Sequence, residues 1–281
     1  MATKSFAYYP GCSLHHGLAR EYDVSARRVS EALGVELKEI EGWTCCGATS
    51  VHLSSRLLAA SLPARNLDLA RKMGLPVAIA CAQCFSRHRF AAHELEDASM
   101  RGKVSQALGA PAPAGVEVKH LLQILDGIQI YAKKPLDGLK VASYYGCLLV
   151  RPAEVTGFGD EENPQIMDRI LASVGAQPLD WGLKTACCGA GMGLPRKDMI
   201  IRLTGRILKQ AKAEGADCVA VACPMCHYNL DSYQKAIGDL DLPVLYFTQL
   251  LGLALGISPF ELRLEKHLTD TGPLLRSRGL A

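Results

Sequence analysis

Eleven of the 281 residues are cysteines, and ten of them fall into two matching sets. The first is Cys12, Cys45, Cys46, Cys81 and Cys84, spaced C-x32-CC-x34-C-x2-C. The second is Cys147, Cys187, Cys188, Cys223 and Cys226, spaced C-x39-CC-x34-C-x2-C. Thiolates are soft ligands, so this pattern points to iron–sulfur chemistry or zinc rather than magnesium or calcium. Four thiolates satisfy a zinc ion or an ordinary cubane cluster. Five per set favour a cluster in which one thiolate bridges two irons. Adjacent cysteines such as Cys45 and Cys46 cannot face the same way in regular structure. In a loop followed by glycine they can reach one cluster or two neighbouring irons.

The residues around the cysteines repeat as well. Tyr8-Tyr9-Pro10-Gly11-Cys12 is echoed by Tyr144-Tyr145-Gly146-Cys147, and Cys45-Cys46-Gly47-Ala48 by Cys187-Cys188-Gly189-Ala190. The three later landmarks recur at an offset of 142 residues. The chain reads as a tandem duplication joined near Lys133-Lys134-Pro135, with boundaries at 1–135, 136–260 and a tail at 261–281. Other readings of the same residues are weaker. Each C-x-x-C has the form of a thioredoxin motif, but three further repeated cysteines go with it. Cys223-Pro224-Met225-Cys226-His227 matches a haem attachment pattern, yet Cys81-Ala82-Gln83-Cys84-Phe85 lacks the histidine. Gly189-Ala190-Gly191-Met192-Gly193 does not fit a dinucleotide fingerprint and follows no strand. Its glycines suit a close approach of backbone to a bulky cluster. Cys218 breaks the duplication and begins an apolar run, which makes it a small core residue.

The scaffold that must position these residues alternates strands and helices in each half. Residues 6–9 and 141–145 read as short buried strands ending just before Gly-Cys. Helical patterns follow at about 18–33 and 164–174, and again at 53–73 and 198–214, the last two closed by Gly74 and Gly215 as C-terminal caps. Residues 77–80 and 219–222 are continuous apolar runs, as strands buried on both faces of a parallel sheet should be. Segments near 116–118 and 244–246 supply one more strand per half. The alternation predicts an α/β architecture. It places the cysteines at the C-terminal edges of parallel strands, where α/β sheets bind ligands.

Composition limits the alternatives. Hydrophobic residues are 49% and charged residues 21%, ordinary for a globular protein with a sizeable core. A formal net charge of +3 is too mild to predict nucleic acid or an anionic membrane as partner. The N-terminus has no apolar region of secretory type. No apolar run approaches the ~20 residues of a membrane helix. A cytoplasmic location is therefore expected, where cysteines serve metals or redox chemistry more often than disulfides.

These cysteine motifs resemble the CCG, or cysteine-rich, domain. Two in tandem over most of this length are similar to the B subunit of heterodisulfide reductase (HdrB), including its sulfur-oxidiser relatives. Matching stretches run from Gly34-Val35-Glu36 to Thr44-Cys45-Cys46-Gly47, and include Tyr145-Gly146-Cys147-Leu148-Leu149-Val150-Arg151-Pro152, Gly157-Phe158 with Glu162-Asn163-Pro164, and Ala186-Cys187-Cys188-Gly189-Ala190-Gly191. The last twenty or so residues lie outside the resemblance. Met225, His227, His15 and His16 depart from what methanogen-type sequences usually carry. CCG domains also occur in lactate, glycolate, glycerol-3-phosphate and succinate oxidation systems.

The resemblance implies two tandem homologous, Rossmann-like α/β domains related by pseudo-twofold symmetry. It implies two noncubane 4Fe-4S clusters, one per five-cysteine set, with a disulfide reduced between them, or thiols or sulfane sulfur oxidised in reverse. Each cluster would take one sulfur of the substrate at iron, Cys12 and Cys147 lying at these sites. The partners implied are a small iron–sulfur protein of HdrC type, a flavoprotein of HdrA type and a disulfide, thiol or sulfur-carrier substrate. His15, His16, Arg151 and His227 neighbour ligand cysteines and are candidates for steering an anionic substrate or supplying protons; each reads equally well as a surface or cap residue. The basic, leucine-bearing tail is a docking helix or a solvated end. Two other functions compete: an electron-transfer or docking module of a flavin dehydrogenase complex, and a structural protein with zinc in at least one set.

Overall fold

The computed structural model describes residues 4–48, 50–192 and 196–281. The first half contains β1 (Lys4–Tyr9), α1 (Gly11–His15), α2 (Arg20–Ala32), β2 (Val35–Glu39), α3 (Val51–Ser54), α4 (Arg56–Met73), β3 (Val77–Ile79), α5 (Ala82–Glu94), α6 (Ala98–Leu108), β4 (Val118–His120) and α7 (Leu121–Leu125). The second contains β5 (Lys140–Tyr144), α8 (Ala153–Thr156), α9 (Ile166–Ala172), β6 (Gln177–Pro178), α10 (Lys197–Ala213), β7 (Cys218–Val221), α11 (Pro224–Ser232), α12 (Gln234–Ile237), β8 (Val244–Tyr246) and α13 (Phe247–Ala254), followed by α14 (Gly272–Ser277). Each half forms a four-stranded parallel sheet, in the orders β2-β1-β3-β4 and β6-β5-β7-β8.

The strands that carry the sites are short and apolar. β3 and β7 are buried throughout, so helices cover both faces of each sheet. Their ends stop where the cysteines begin: Tyr9 pairs with Ile79 in one sheet and Tyr144 with Val221 in the other. The expected helix over 53–73 is broken at Ser55, whose extended backbone caps α4 by accepting a hydrogen bond from Leu58 N–H at 3.2 Å. Gly74 closes that helix at φ 67°, a left-handed conformation glycine adopts without strain. The strand expected at 116–118 lies two residues later, in β4. Strands β2 and β6 carry too few apolar residues to be seen in the sequence pattern, β2 alternating with charged residues and β6 being only Gln177–Pro178.

The halves lock together around a pseudo-twofold axis. α13 of the second half packs on α2 of the first, and α7 of the first packs on the equivalent α9 of the second. Ser25 and Thr248 share a buried hydrogen bond of 2.7 Å, and Arg169 meets Asp126 at 2.6 Å on the other side. Two aromatic groups repeat the symmetry. Phe85, His120 and Phe158 form one, and His227, Tyr246 and Tyr22 form its mate. Each draws two members from one half and one from the other, so neither half completes its core alone.

The segment after α13 is neither a solvated tail nor a free docking helix. Leu262, Leu264, Leu275 and Leu280 are buried against the second half, and Arg278 donates to Asp217 at 2.6 Å. The leucines interleaved with the basic residues are what hold it down. No helix among the described residues is long and apolar enough to cross a membrane.

Candidate metal centre

Both cysteine sets assemble at the C-terminal strand ends by the same local rules. After β1 and β5 the chain turns through Gly11 (φ 73°) and Gly146 (φ 69°) into Cys12 and Cys147. A Cβ at Gly11 would lie 2.9 Å from the sulfur of Cys84, and one at Gly146 would lie 3.1 Å from that of Cys226. The glycines are therefore needed for space as well as for their backbone angles. The C-x-x-C motifs straddle helix starts: Cys81 and Cys223 are the N-caps of α5 and α11, and Cys84 and Cys226 sit in their first turns. In each pair of adjacent cysteines one is exposed and one is buried, Cys45 against Cys46 and Cys187 against Cys188.

The sulfurs form a nearly continuous line through the molecule. Cys46 and Cys84 are 3.3 Å apart, and Cys188 and Cys226 are 3.5 Å apart. Cys81 and Cys223 touch across the axis, joining the two sets at a buried junction where Ala82 N–H also donates to Ala222 O at 3.3 Å. Hydrogen bonds from Cys45 and Cys84 pull the Cys46 thiol down to about 3, against the opposing effect of burial. A hydrogen bond from Cys147 brings Cys187 down to about 6, helped by the N–H of Gly189. Cys223 is held well below its ordinary value by Cys226 and Cys81. Their donors are pushed up by the same contacts: Cys45, Cys84, Cys147 and Cys226 all lie above the usual thiol range. Metal ligation requires thiolates, and the close sulfur–sulfur contacts already tie the protonation of neighbouring cysteines to one another. Five soft sulfurs per half, with side-chain volume removed at Gly11 and Gly146, fit a polynuclear iron–sulfur group.

The loops bearing the adjacent cysteines are held differently in the two halves. Tyr9 donates to Thr44 O at 2.8 Å, and Tyr144 to the equivalent Ala186 O at 2.5 Å. Beyond that the first half uses Asn66, whose carbonyl accepts from Thr44 N–H at 2.8 Å and whose amide donates to Thr44 O at 2.9 Å. The second half uses a buried ion pair, Lys184 to Asp168 at 2.9 Å, with Tyr145 donating to Asp168 at 2.6 Å. Lys184 O in turn accepts from Tyr145 N–H and Gly146 N–H, directly ahead of Cys147.

A cavity of about 550 Å3 lies between the halves. On one wall are Cys12, His16 and Glu21; on the other are Pro224 and Met225, inside the second C-x-x-C, with His227 and Asp231. The cavity thus reaches Cys12 of the first set directly, whereas from the second set it reaches only Pro224 and Met225, between Cys223 and Cys226, and neither these cysteines nor Cys147 line it. His16 and His227 line it. His15 instead lies 3.3 Å from Glu39, beside His16. Arg151 is not among the lining residues and is occupied by Glu162 at 2.7 Å and the Thr185 hydroxyl at 3.0 Å. His227 is buried, stacked on Tyr246, and pushed down to about 4 by desolvation, which keeps it neutral at physiological pH. Glu21 was not legible as a site residue, since it sits in an ordinary amphipathic helix. Burial raises its carboxyl to about 7. Cys218 is fully buried in β7, and desolvation raises its thiol, as befits a core residue. Of the glycine-rich stretch, Gly193 lies outside the described residues; Gly189 takes φ 80° beside Cys188.

The model of the cysteine-rich (CCG) domain matches residues 6–87 and again 141–231. The chain belongs to the CCG family, in its tandem, HdrB-like form. It is 32% identical to the HdrB protein of the ferredoxin:CoB-CoM heterodisulfide reductase of Methanosarcina mazei, over 84% of this chain and 85% of that one. It is 36% identical to the 8-methylmenaquinol:fumarate reductase membrane anchor subunit of Wolinella succinogenes, over 96% of this chain and 99% of that one. A hypothetical protein from Helicobacter pylori, of known crystal structure, shares the fold with a TM-score of 0.77 at 13% identity. That match covers 96% of this chain and 53% of the other. The cysteine arrangement is thus set in a known tandem framework.

Proposed function

We propose that the protein is the catalytic iron–sulfur component of a heterodisulfide-reductase-like complex, acting on a disulfide or, in reverse, on thiols or sulfane sulfur. The observation that carries this reading is the cavity with Cys12 on one wall and the Cys223–Cys226 turn on the other. A molecule with two sulfurs held there would meet Cys12 directly and the second set through the turn that carries Pro224 and Met225. Each set would hold one 4Fe-4S cluster of noncubane type, through Cys12, Cys45, Cys46, Cys81 and Cys84 in the first half and Cys147, Cys187, Cys188, Cys223 and Cys226 in the second. When bound, two such clusters would supply the two electrons of a disulfide one at a time.

The chain's own residues do the rest. Cys46, Cys81, Cys84, Cys188, Cys223 and Cys226 are buried, whereas Cys12, Cys45 and Cys187 are exposed. Reducing a disulfide to two thiols consumes two protons, and Glu21 can hold one near neutral pH at the cavity wall. His16 lines the same wall. Electrons would come from a small HdrC-like iron–sulfur partner linked to an HdrA-like flavoprotein; the naming of the Methanosarcina relatives as subunits supports partner subunits in general.

A second reading is an electron-transfer module that meets a quinol. Leu18 and Leu268, 85% and 70% exposed, make the cavity mouth apolar, and the Wolinella relative is named for a menaquinol reaction. The test is an anaerobic preparation with iron, acid-labile sulfide and zinc counted, followed by EPR with a disulfide, a thiol or a soluble menaquinol analogue. Iron and sulfide in both halves and a signal changed by disulfide or thiol are expected. Zinc without sulfide in both halves would sink the proposal, and a response to quinol alone favours the module.

A further inference from the structure

A second group of potential ligands lies at the cavity wall, apart from the cysteines: His227 and Asp231 line the cavity, and His267 sits behind them, between the lining residues Lys266 and Leu268. His227 and Asp231 are four residues apart on α11, so they share one helix face. His267, from the C-terminal segment, is laid across them. One ligand atom from each of the three lies within 4.8 Å of the other two. We propose that His227, Asp231 and His267 form a site for a zinc-class divalent ion, with its remaining coordination position turned to the cavity.

The hydrogen bonds fix which atoms are available. Gln249 is oriented by its amide, which donates to Leu262 O at 3.1 Å, and its carbonyl accepts from Tyr246 N–H at 3.0 Å. The same carbonyl lies 3.0 Å from His267 Nε2, so that nitrogen carries the proton and Nδ1 presents a lone pair. Outer partners orient metal-bound histidines in this way. His267 Nδ1 points at His227 Nε2, 2.8 Å away, and His227 Nε2 also lies 3.0 Å from Val244 O. Two acceptors thus converge on one N–H. An ion accepted here would take His267 Nδ1 and His227 Nε2, the His227 proton moving to its Nδ1, with no net proton released by the rings.

Asp231 supplies the independent argument. It is 5% exposed, and among the described residues no lysine or arginine lies within salt-bridge distance of it. Its oxygens accept from Leu268 N–H at 2.7 Å and Thr269 N–H at 3.0 Å, which aims the carboxylate but leaves lone pairs free. A buried carboxylate without a cation is costly, and a divalent ion removes that cost. Two imidazoles and one carboxylate suit zinc, and three protein ligands leave a position open. That position faces the space shared by Met225 and Cys12, where a thiolate or carboxylate of a bound molecule could complete the shell. The site does not depend on what the cysteine sets hold.

The test uses the full chain purified anaerobically and dialysed against chelating resin, with zinc X-ray absorption as the readout. The expected result is a nitrogen/oxygen shell at about 2.0–2.1 Å, distinct from sulfur at about 2.3 Å. His267→Ala and Asp231→Asn should each lower this component at least tenfold while iron and sulfide stay unchanged. Absence of the component in the wild type overturns the proposal, as does its persistence in both variants. Anomalous scattering across the zinc edge from wild-type crystals decides without any variant: a peak between the three side chains supports the site, and none there overturns it.

Discussion

The two sides of the pseudo-twofold axis carry the same cysteines but are finished differently. Where α5 meets the second half, Arg89 donates to Val155 O at 2.6 Å, Gln123 donates to the carbonyls of Thr156 and Gly157, and α8 packs directly on α5. Where α11 meets the first half, the position matching Arg89 is Asp231, which turns instead to the C-terminal segment. The corresponding space is left as the cavity. Phe85 of the packed side becomes His227 of the open one. Duplication supplied two equivalent cradles, and divergence of a few contact residues gave one of them an entrance. A symmetric pair of cysteine sets is thus left with one side closed and one side open to the cavity.

Four measurements probe how deep this asymmetry runs. The largest effect is expected at the cradles themselves. Cys84→Ser and Cys226→Ser should each remove about half of the iron and sulfide, because each disables one equivalent set; loss of all iron from either variant would show that the sets are not independent. Next come the different supports. Lys184→Met leaves Asp168 buried without its partner and should cost ~3–5 kcal/mol in denaturant unfolding, whereas Asn66→Ala, which removes a neutral clamp from the other half, should cost ~1–3 kcal/mol. Equal losses would mean that the two loops are held with equal strength.

The third concerns the open side alone. Burial raises the Glu21 carboxyl to about 7 in the folded chain, above its ordinary 4.5. The folded state therefore holds this proton longer than the unfolded chain does. Its contribution is complete below about pH 4.5 and is lost as the pH rises toward 7, up to ~3 kcal/mol over that window. Glu21→Gln should flatten this fall, and should also remove any step near pH 7 in the disulfide response of the EPR signal. The smallest effect is expected for Gly11→Ala and Gly146→Ala, which force a left-handed backbone and a contact with cysteine sulfur. Each should destabilise by ~1–3 kcal/mol, Gly11→Ala the more since its Cβ contact is shorter, read as a fall in melting temperature.

Much of this was legible before any fold was known. Cysteine spacing marked the duplication, apolar runs marked β3 and β7, and glycines marked the turns, because these features depend on residue type at fixed separation. Edge strands β2 and β6, the break at Ser55 and the packed C-terminal segment were not, since edge pairing and docking depend on partners far along the chain. Arg151 illustrates the limit. Its place beside Cys147 made it a candidate, yet Glu162 and Thr185 claim its guanidinium. His227 and His16, chosen on the same ground, do reach the cavity.

Residue order alone was enough to specify the ten cysteines, their division into two sets and the strand ends that carry them. Those follow from local spacing and hydrophobic pattern, which survive in one dimension. Three-dimensional packing decided that Cys81 and Cys223 touch, that one of two equivalent clefts stays open, that Glu21 and Asp231 both line it, and that His267 lies against His227 and Asp231. Such choices bring together residues as far apart in the chain as Cys12 and Leu268, 256 positions, which line one cavity, and only packing around the twofold axis does this.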